Sequence, residues 1–88
     1  MHTTNIDITL TSMGRQLTFS KEFLEVAHVF RRAGGEGAPW QRVAVNTRSP
    51  FLDTDVFAPS TLLAYYVHYE TQQGEPADRS HVVSTTLP

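Results

Sequence analysis

Three histidines, two neighbouring aspartates and a run of arginines are the residues of this chain with chemistry to offer. His28, His68 and His81 lie on apolar-rich segments, and three imidazoles on one sheet face would resemble a zinc site. That arrangement needs matching strand registers, which the sequence does not set. Histidines standing exposed on strands are the plainer reading. Asp53 and Asp55 are two residues apart and would share one face of a strand. Calcium wants six to eight oxygens, however, and no ladder of ligands follows them. The alternative is that Asp53 pins a turn through backbone amides. Serines and threonines are plentiful, but none stands in a nucleophile elbow, and no serine, base and acid form a recognisable triad. "GGEG" lacks the Lys-Ser/Thr and the following helix of a phosphate-binding loop and reads as a hairpin. Neither catalysis, nor a cofactor, nor a bound metal is expected.

The arginines are more suggestive. Arg31, Arg32, Arg42 and Arg48 fall in the middle of the chain, near Phe30, Trp40, Tyr66 and His68. Arginine and aromatic side chains together are what interface hot spots are made of. The expected interaction residues are therefore Phe30, Arg31, Arg32, Trp40, Arg42, Tyr66 and His68. The competing reading is a solvated sheet face with charge pairs to Glu70 and Asp55.

The elements that must position these residues are strands. Ile6, Ile8 and Leu10 alternate with Asp7 and Thr9, the pattern of a half-buried strand. "SMGR" is a turn, and "QLTFS" puts Leu17 and Phe19 on one face. "KEFLE" reads as one helical turn or a bulged loop. "EVAHVFRR" is a strand with apolar residues on both sides, which suits a central strand or one whose outer face meets a partner. "AGGEGAP" turns, "WQRVAVN" is a strand, and "TRSP" breaks it, because Pro50 cannot donate to a ladder. "FLDTDVF" is short and alternating, and "APST" turns again. In "STLLAYYVHYETQQGE", three tyrosines and a valine within five residues favour a strand over a helix. Tyr65 and Val67 should point inward, with Tyr66 and His68 outward. "QQGEPADR" reads as a loop and "SHVVSTTL" as a last strand. Seven short strands at intervals of 8 to 12 residues suggest an all-β sandwich.

Composition narrows the function. Eighty-eight residues make one domain, here residues 5–88 behind a tail, 1–4, that carries His2 and is expected to be disordered. Nine acids against seven bases give a charge of −2. That is the wrong sign for a nucleic-acid binder, which normally shows a basic surplus. No apolar run approaches the roughly 20 residues of a membrane span, so insertion is not expected. The first residues lack the basic and apolar regions of a signal peptide. The expected place is the cytoplasm, or wherever a larger assembly carries the chain. The absence of cysteine leaves the redox compartment unmarked.

The order of these segments resembles a fibronectin type III domain. "W-x-x-V-A-V-N" and the stretch from "SPFLDTDVF" to "STTLP" are similar to the back half of that family: an aromatic-bearing strand, a short strand with an Asp-Thr pair, a Pro-bearing turn, a Tyr-x-Val strand, a Gly loop and a Thr-Pro exit. "QLTFS" looks like its second strand, and "VFRRAGGEGAPW" like its third strand and hairpin. The family usually carries Trp in its second strand, where this chain has Phe19. No loop contains Arg-Gly-Asp, so integrin-type adhesion is not implied. The resemblance implies an antiparallel sandwich of seven strands and encodes a fold, not an activity. It makes the leading expectation a non-enzymatic structural or interaction module whose partner is another protein or a further copy of itself. Small freestanding sandwiches of this kind occur as virion or phage-tail components. The alternative is a carbohydrate-binding module, in which Trp40, Tyr66 and Tyr69 would face solvent together.

Overall fold

The computed structural model describes residues 5–88; the expected disordered tail, with His2, lies outside them. Two antiparallel sheets account for the strands. The smaller holds β1 (Ile6–Thr11), β2 (Gly14–Phe19) and β5 (Phe51–Asp53), in the order β1-β2-β5. The larger holds β3 (Val26–Ala33), β4 (Gln41–Ala44), β6 (Leu62–Glu70), β7 (Pro76–Arg79) and β8 (Val83–Thr86). Its order is β4-β3-β6-β7, and β8 also pairs with β6. The architecture is all-β and compatible with a β-sandwich.

Side-chain parity explains the packing. Ile6 from β1, with Leu17 and Phe19 from β2, meets Ala27 and Val29 from β3 and Leu63, Tyr65, Val67 and Tyr69 from β6 in one buried cluster. In a strand, successive side chains point to opposite faces. The segment "YYVHYE" therefore divides as expected: Tyr65, Val67 and Tyr69 are buried, while Tyr66, His68 and Glu70 emerge on the other side.

The β1–β2 turn shows local chemistry setting register. Thr11 Oγ1 accepts hydrogen bonds from the N–H groups of Met13 and Gly14, both at 3.1 Å. Gly14 has φ 152°, and a Cβ there would run into the carbonyl oxygen of Asp53 on the neighbouring strand. Only glycine lets β2 and β5 approach so closely.

The structure corrects two expectations about the strands and decides a third point left open. Among the described residues there are eight strands, because the expected loop "QQGEPADR" contains β7, ahead of the last strand, β8. Ser80 separates the two. Its N–H donates to the Val67 carbonyl at 2.8 Å, and its Oγ accepts from the Val67 N–H at 2.8 Å. A side chain thus takes the place of a backbone carbonyl, and the ladder with β6 resumes only at Val83. Second, "FLDTDVF" is a strand only as far as Asp53. There the Asp53 carboxylate accepts the Asp55 N–H at 3.2 Å, an Asx-type turn that draws the chain out of the sheet. Of the two readings of "KEFLE", the helical turn is set aside: the segment is a loop with a turn at Phe23 and Leu24, and Leu24 sits in the left-handed region at φ 74°.

A basic aromatic face and a buried ion cluster

The outer face of the larger sheet is built from parity and register. On β3 the residues His28, Phe30 and Arg32 alternate with the inward Ala27, Val29 and Arg31. Antiparallel pairing sets His28 opposite His68 and Phe30 opposite Tyr66. On the other side, Arg42 of β4 pairs with Phe30, and Trp40, just before β4, lies beside Arg32. Arg79 of β7 lies opposite His68. Residues paired in this way share a face, so side chains from four strands converge.

Their contacts form a connected layer. The rings of Phe30 and Tyr66 lie nearly parallel, at 3° and 5.0 Å between centroids. Trp40 meets Tyr66 edge-on at 4.7 Å, and Phe30 meets His68 edge-on at 6.2 Å. The Arg32 guanidinium lies 4.6 Å from the Trp40 ring centroid, and that of Arg79 lies 5.1 Å from the Tyr66 centroid. Such cation–π contacts contribute about 0.5–1 kcal/mol each where exposed. They hold the guanidinium without using its N–H donors. No carboxylate among the described residues lies within ion-pair distance of Arg32, Arg42 or Arg79, and Arg32 Nε is buried with no hydrogen-bond partner.

At one end of this face, Glu70 is shared by two histidines. His28 Nε2 lies 3.1 Å from Oε1, and His68 Nε2 lies 3.2 Å from Oε2. His28 is only 6% exposed, and its Nδ1 accepts the Asn46 N–H at 3.1 Å, which puts the ring proton of a neutral His28 on Nε2, toward Glu70. The hydrogen bond from His28 holds the Glu70 carboxyl below the usual carboxylate range, against the opposing effect of desolvation; the charge of His68 adds to it. His81 is exposed on the break between β7 and β8. Among the described residues, no group of three or more ligating side chains is arranged to hold a metal ion.

Arg31, expected on this face, belongs to the other side of the sheet. It is 8% exposed, and its Nη1 donates to both oxygens of Asp53, at 3.1 and 3.0 Å, and to Asp55 Oδ2 at 2.7 Å. Arg15 approaches the same carboxylate from β2, with Nη2 at 3.2 Å from Asp53 Oδ2. Arg15 Nε also donates to Tyr65 Oη at 3.2 Å, and Nη2 to the Asp55 carbonyl at 2.8 Å. The Tyr65 hydroxyl donates to Asp53 Oδ2 at 2.5 Å. The Phe57 ring lies by both guanidiniums, 5.5 Å from Arg15 and 4.7 Å from Arg31. Burial alone would raise the Asp53 carboxyl. The hydrogen bonds from Tyr65, Arg31 and the Asp55 N–H outweigh it, and the group titrates below the usual range. Burial and the Asp53 charge push the Tyr65 hydroxyl well above its ordinary value. Two arginines and two aspartates leave the cluster neutral. Each of the four charged side chains has an ion-pair partner within the cluster.

Of the seven expected interaction residues, the outer face therefore brings together six: Phe30, Arg32, Trp40, Arg42, Tyr66 and His68. It adds Arg79 and His28, which sequence reasoning did not assign to it. Comparison of the chain with family models, with curated proteins and with solved structures yields no match. The face stands on its own geometry.

Proposed function

We propose that this chain is a non-enzymatic protein-interaction module, a subunit or accessory component of a larger assembly, that binds through the outer face of β4-β3-β6-β7. The observation that carries this reading is the set of three arginines there, two of them lying over aromatic rings and none paired with a carboxylate among the described residues. Arg15 and Arg31, by contrast, meet carboxylates inside the molecule. A guanidinium stacked on a ring still presents its in-plane N–H edge, ready for a bidentate acceptor. Aromatic rings and arginine at the centre of one patch match the composition of binding hot spots. Two antiparallel sheets closing on one core also suit the fibronectin type III resemblance, which we retain as a proposal about lineage; a virion or phage-tail setting is one context such a module would fit.

The carbohydrate alternative has less support. It asked for Trp40, Tyr66 and Tyr69 on one open platform. Tyr69 is fully buried and donates its hydroxyl to the Ser20 carbonyl at 2.6 Å. Trp40 and Tyr66 each carry an arginine over the ring, where a sugar would stack.

The test is the triple charge reversal R32E/R42E/R79E, followed by circular dichroism, thermal melting and light scattering after size exclusion. The fold should survive with a loss of about 1–2 kcal/mol, from the two cation–π contacts removed. Association with protein partners, self-association included, should be lost. Association unchanged in the triple variant would place the binding surface elsewhere.

A further inference from the structure

Charge is divided unevenly over the molecule. The buried cluster sets two arginines against two aspartates. The outer face carries Arg32, Arg42 and Arg79 against Glu70 alone, whose carboxylate already faces two histidines. The rest of the chain holds six acids and two bases, Lys21 and Arg48, which line a separate hollow beside Phe19 and Phe23. The excess of positive charge is therefore concentrated on this one face. Arg42 and Arg79 are exposed there, and Arg32 is half-buried. An occupant that complements the face is anionic.

The geometry narrows which anion fits. Arg42 stands on β4, Arg32 on β3 and Arg79 on β7. In the order β4-β3-β6-β7, the first and last of these strands lie three spacings apart, roughly 14 Å. A single small anion does not bridge that width, whereas about four residues of extended chain do, at roughly 3.3 Å each. The occupant is therefore a segment with several acidic groups along it. Nucleic acid is a poor match. Its bases need open rings to stack on, and Arg32 and Arg79 already lie over Trp40 and Tyr66. A chain with a formal charge of −2 also repels a long polyanion. A second copy is a poor match too. A two-fold contact would set arginines against arginines, and Glu22, Glu25 and Asp78 already have interactions of their own. Carboxylates on a short stretch of another protein meet every condition, because a guanidinium over a ring keeps N–H donors for a two-oxygen acceptor.

We infer that the outer face binds a short acidic segment of a different protein, extended across β4-β3-β6-β7, with its carboxylates taken by Arg42, Arg32 and Arg79. This rests on the reading of the face given above and names the chemistry of its partner. The rings act through the arginines: Trp40 and Tyr66 hold two of the guanidiniums in place, so less side-chain freedom is lost when the segment arrives. The contact is electrostatic and falls with added salt.

Calorimetric titration at low salt tests this with three probes of equal length: a hexaglutamate peptide, a hexaglutamine peptide and a hexathymidylate. Hexaglutamate should bind the wild-type protein saturably, and the other two should not. Binding should vanish in about 1 M salt, where the screening length falls to about 3 Å. R32Q/R42Q/R79Q, checked for folding by thermal melting, should bind hexaglutamate at least about tenfold more weakly, the loss expected when a charge-assisted hydrogen bond is removed. K21Q/R48Q removes the two bases outside the face and should bind within about twofold of wild type, since exposed charges more than a screening length away contribute little. No binding of hexaglutamate, or equal binding of hexaglutamine, would overturn the inference. Hexathymidylate bound as tightly would overturn it in favour of nucleic acid. A loss in K21Q/R48Q as large as in the triple variant would overturn it by reducing the effect to overall charge. In each case the reading of the face as a binding surface is judged separately, by the association of R32E/R42E/R79E.

Discussion

Arg31 and Arg32 are neighbours on one strand and live in opposite worlds. Arg31 points between the sheets, where two carboxylates, an aromatic ring and the fold itself enclose it. Arg32 points outward, lies over Trp40, and has a buried Nε with no partner. The first is a finished interaction. Its removal would damage the protein by leaving Asp53 and Asp55 without compensation. The second is stabilised just enough to hold a conformation, with its hydrogen-bonding capacity unspent. An arginine's local partners thus separate a structural role from a binding one, even where residue type, strand and neighbours are shared.

The largest effect expected from breaking this contrast is on the inner side. Asp53→Ala should cost about 3–5 kcal/mol, because two buried guanidiniums lose their common carboxylate. In a domain of this size that is most of the stability, since natural domains hold about 5–15 kcal/mol in all. Urea denaturation measures it directly. Tyr65→Phe removes one donor from the same carboxylate and should cost less, about 1–3 kcal/mol by the same measurement.

The pH dependence follows from Asp53. Its folded carboxyl titrates below the ordinary value, so its contribution is complete above the unfolded pKa of about 3.9 and is lost as the pH falls through the lower folded value. Stability should therefore decline from about pH 4 downward, and Asp53→Asn should flatten that part of the acid denaturation curve. At the small end, Arg32→Ala should change stability by less than about 1 kcal/mol, the range of an exposed cation–π contact. Its effect should appear in association instead. An Arg32→Ala protein destabilised as much as Asp53→Ala would erase the distinction between the two arginines.

Much of the outer face was legible in the sequence, because alternation alone puts residues 28, 30 and 32, and 66 and 68, on shared sides. Arg31 was misplaced for want of the same rule: residue 31 has the parity of Ala27 and Val29, and a charge on an apolar parity announces a buried partner. Arg15 carried the same signal, sharing parity with Leu17 and Phe19. What no single sequence could supply was register. His28 opposite His68, and Arg79 beside Tyr66, depend on how the strands slide past one another. The extra strand was hidden for a related reason. Ser80 ends one ladder and permits the next by substituting its hydroxyl for a carbonyl, a contact between distant parts of the chain.

The most direct measurement is nuclear magnetic resonance of the arginine Nε–H groups as the hexaglutamate peptide is titrated in. The resonances of Arg32, Arg42 and Arg79 should shift or broaden until the peptide saturates, while those of Arg15 and Arg31 stay fixed. Outer resonances that stay still throughout, or all five moving together, would contradict the division between finished and unspent arginines on which this account rests.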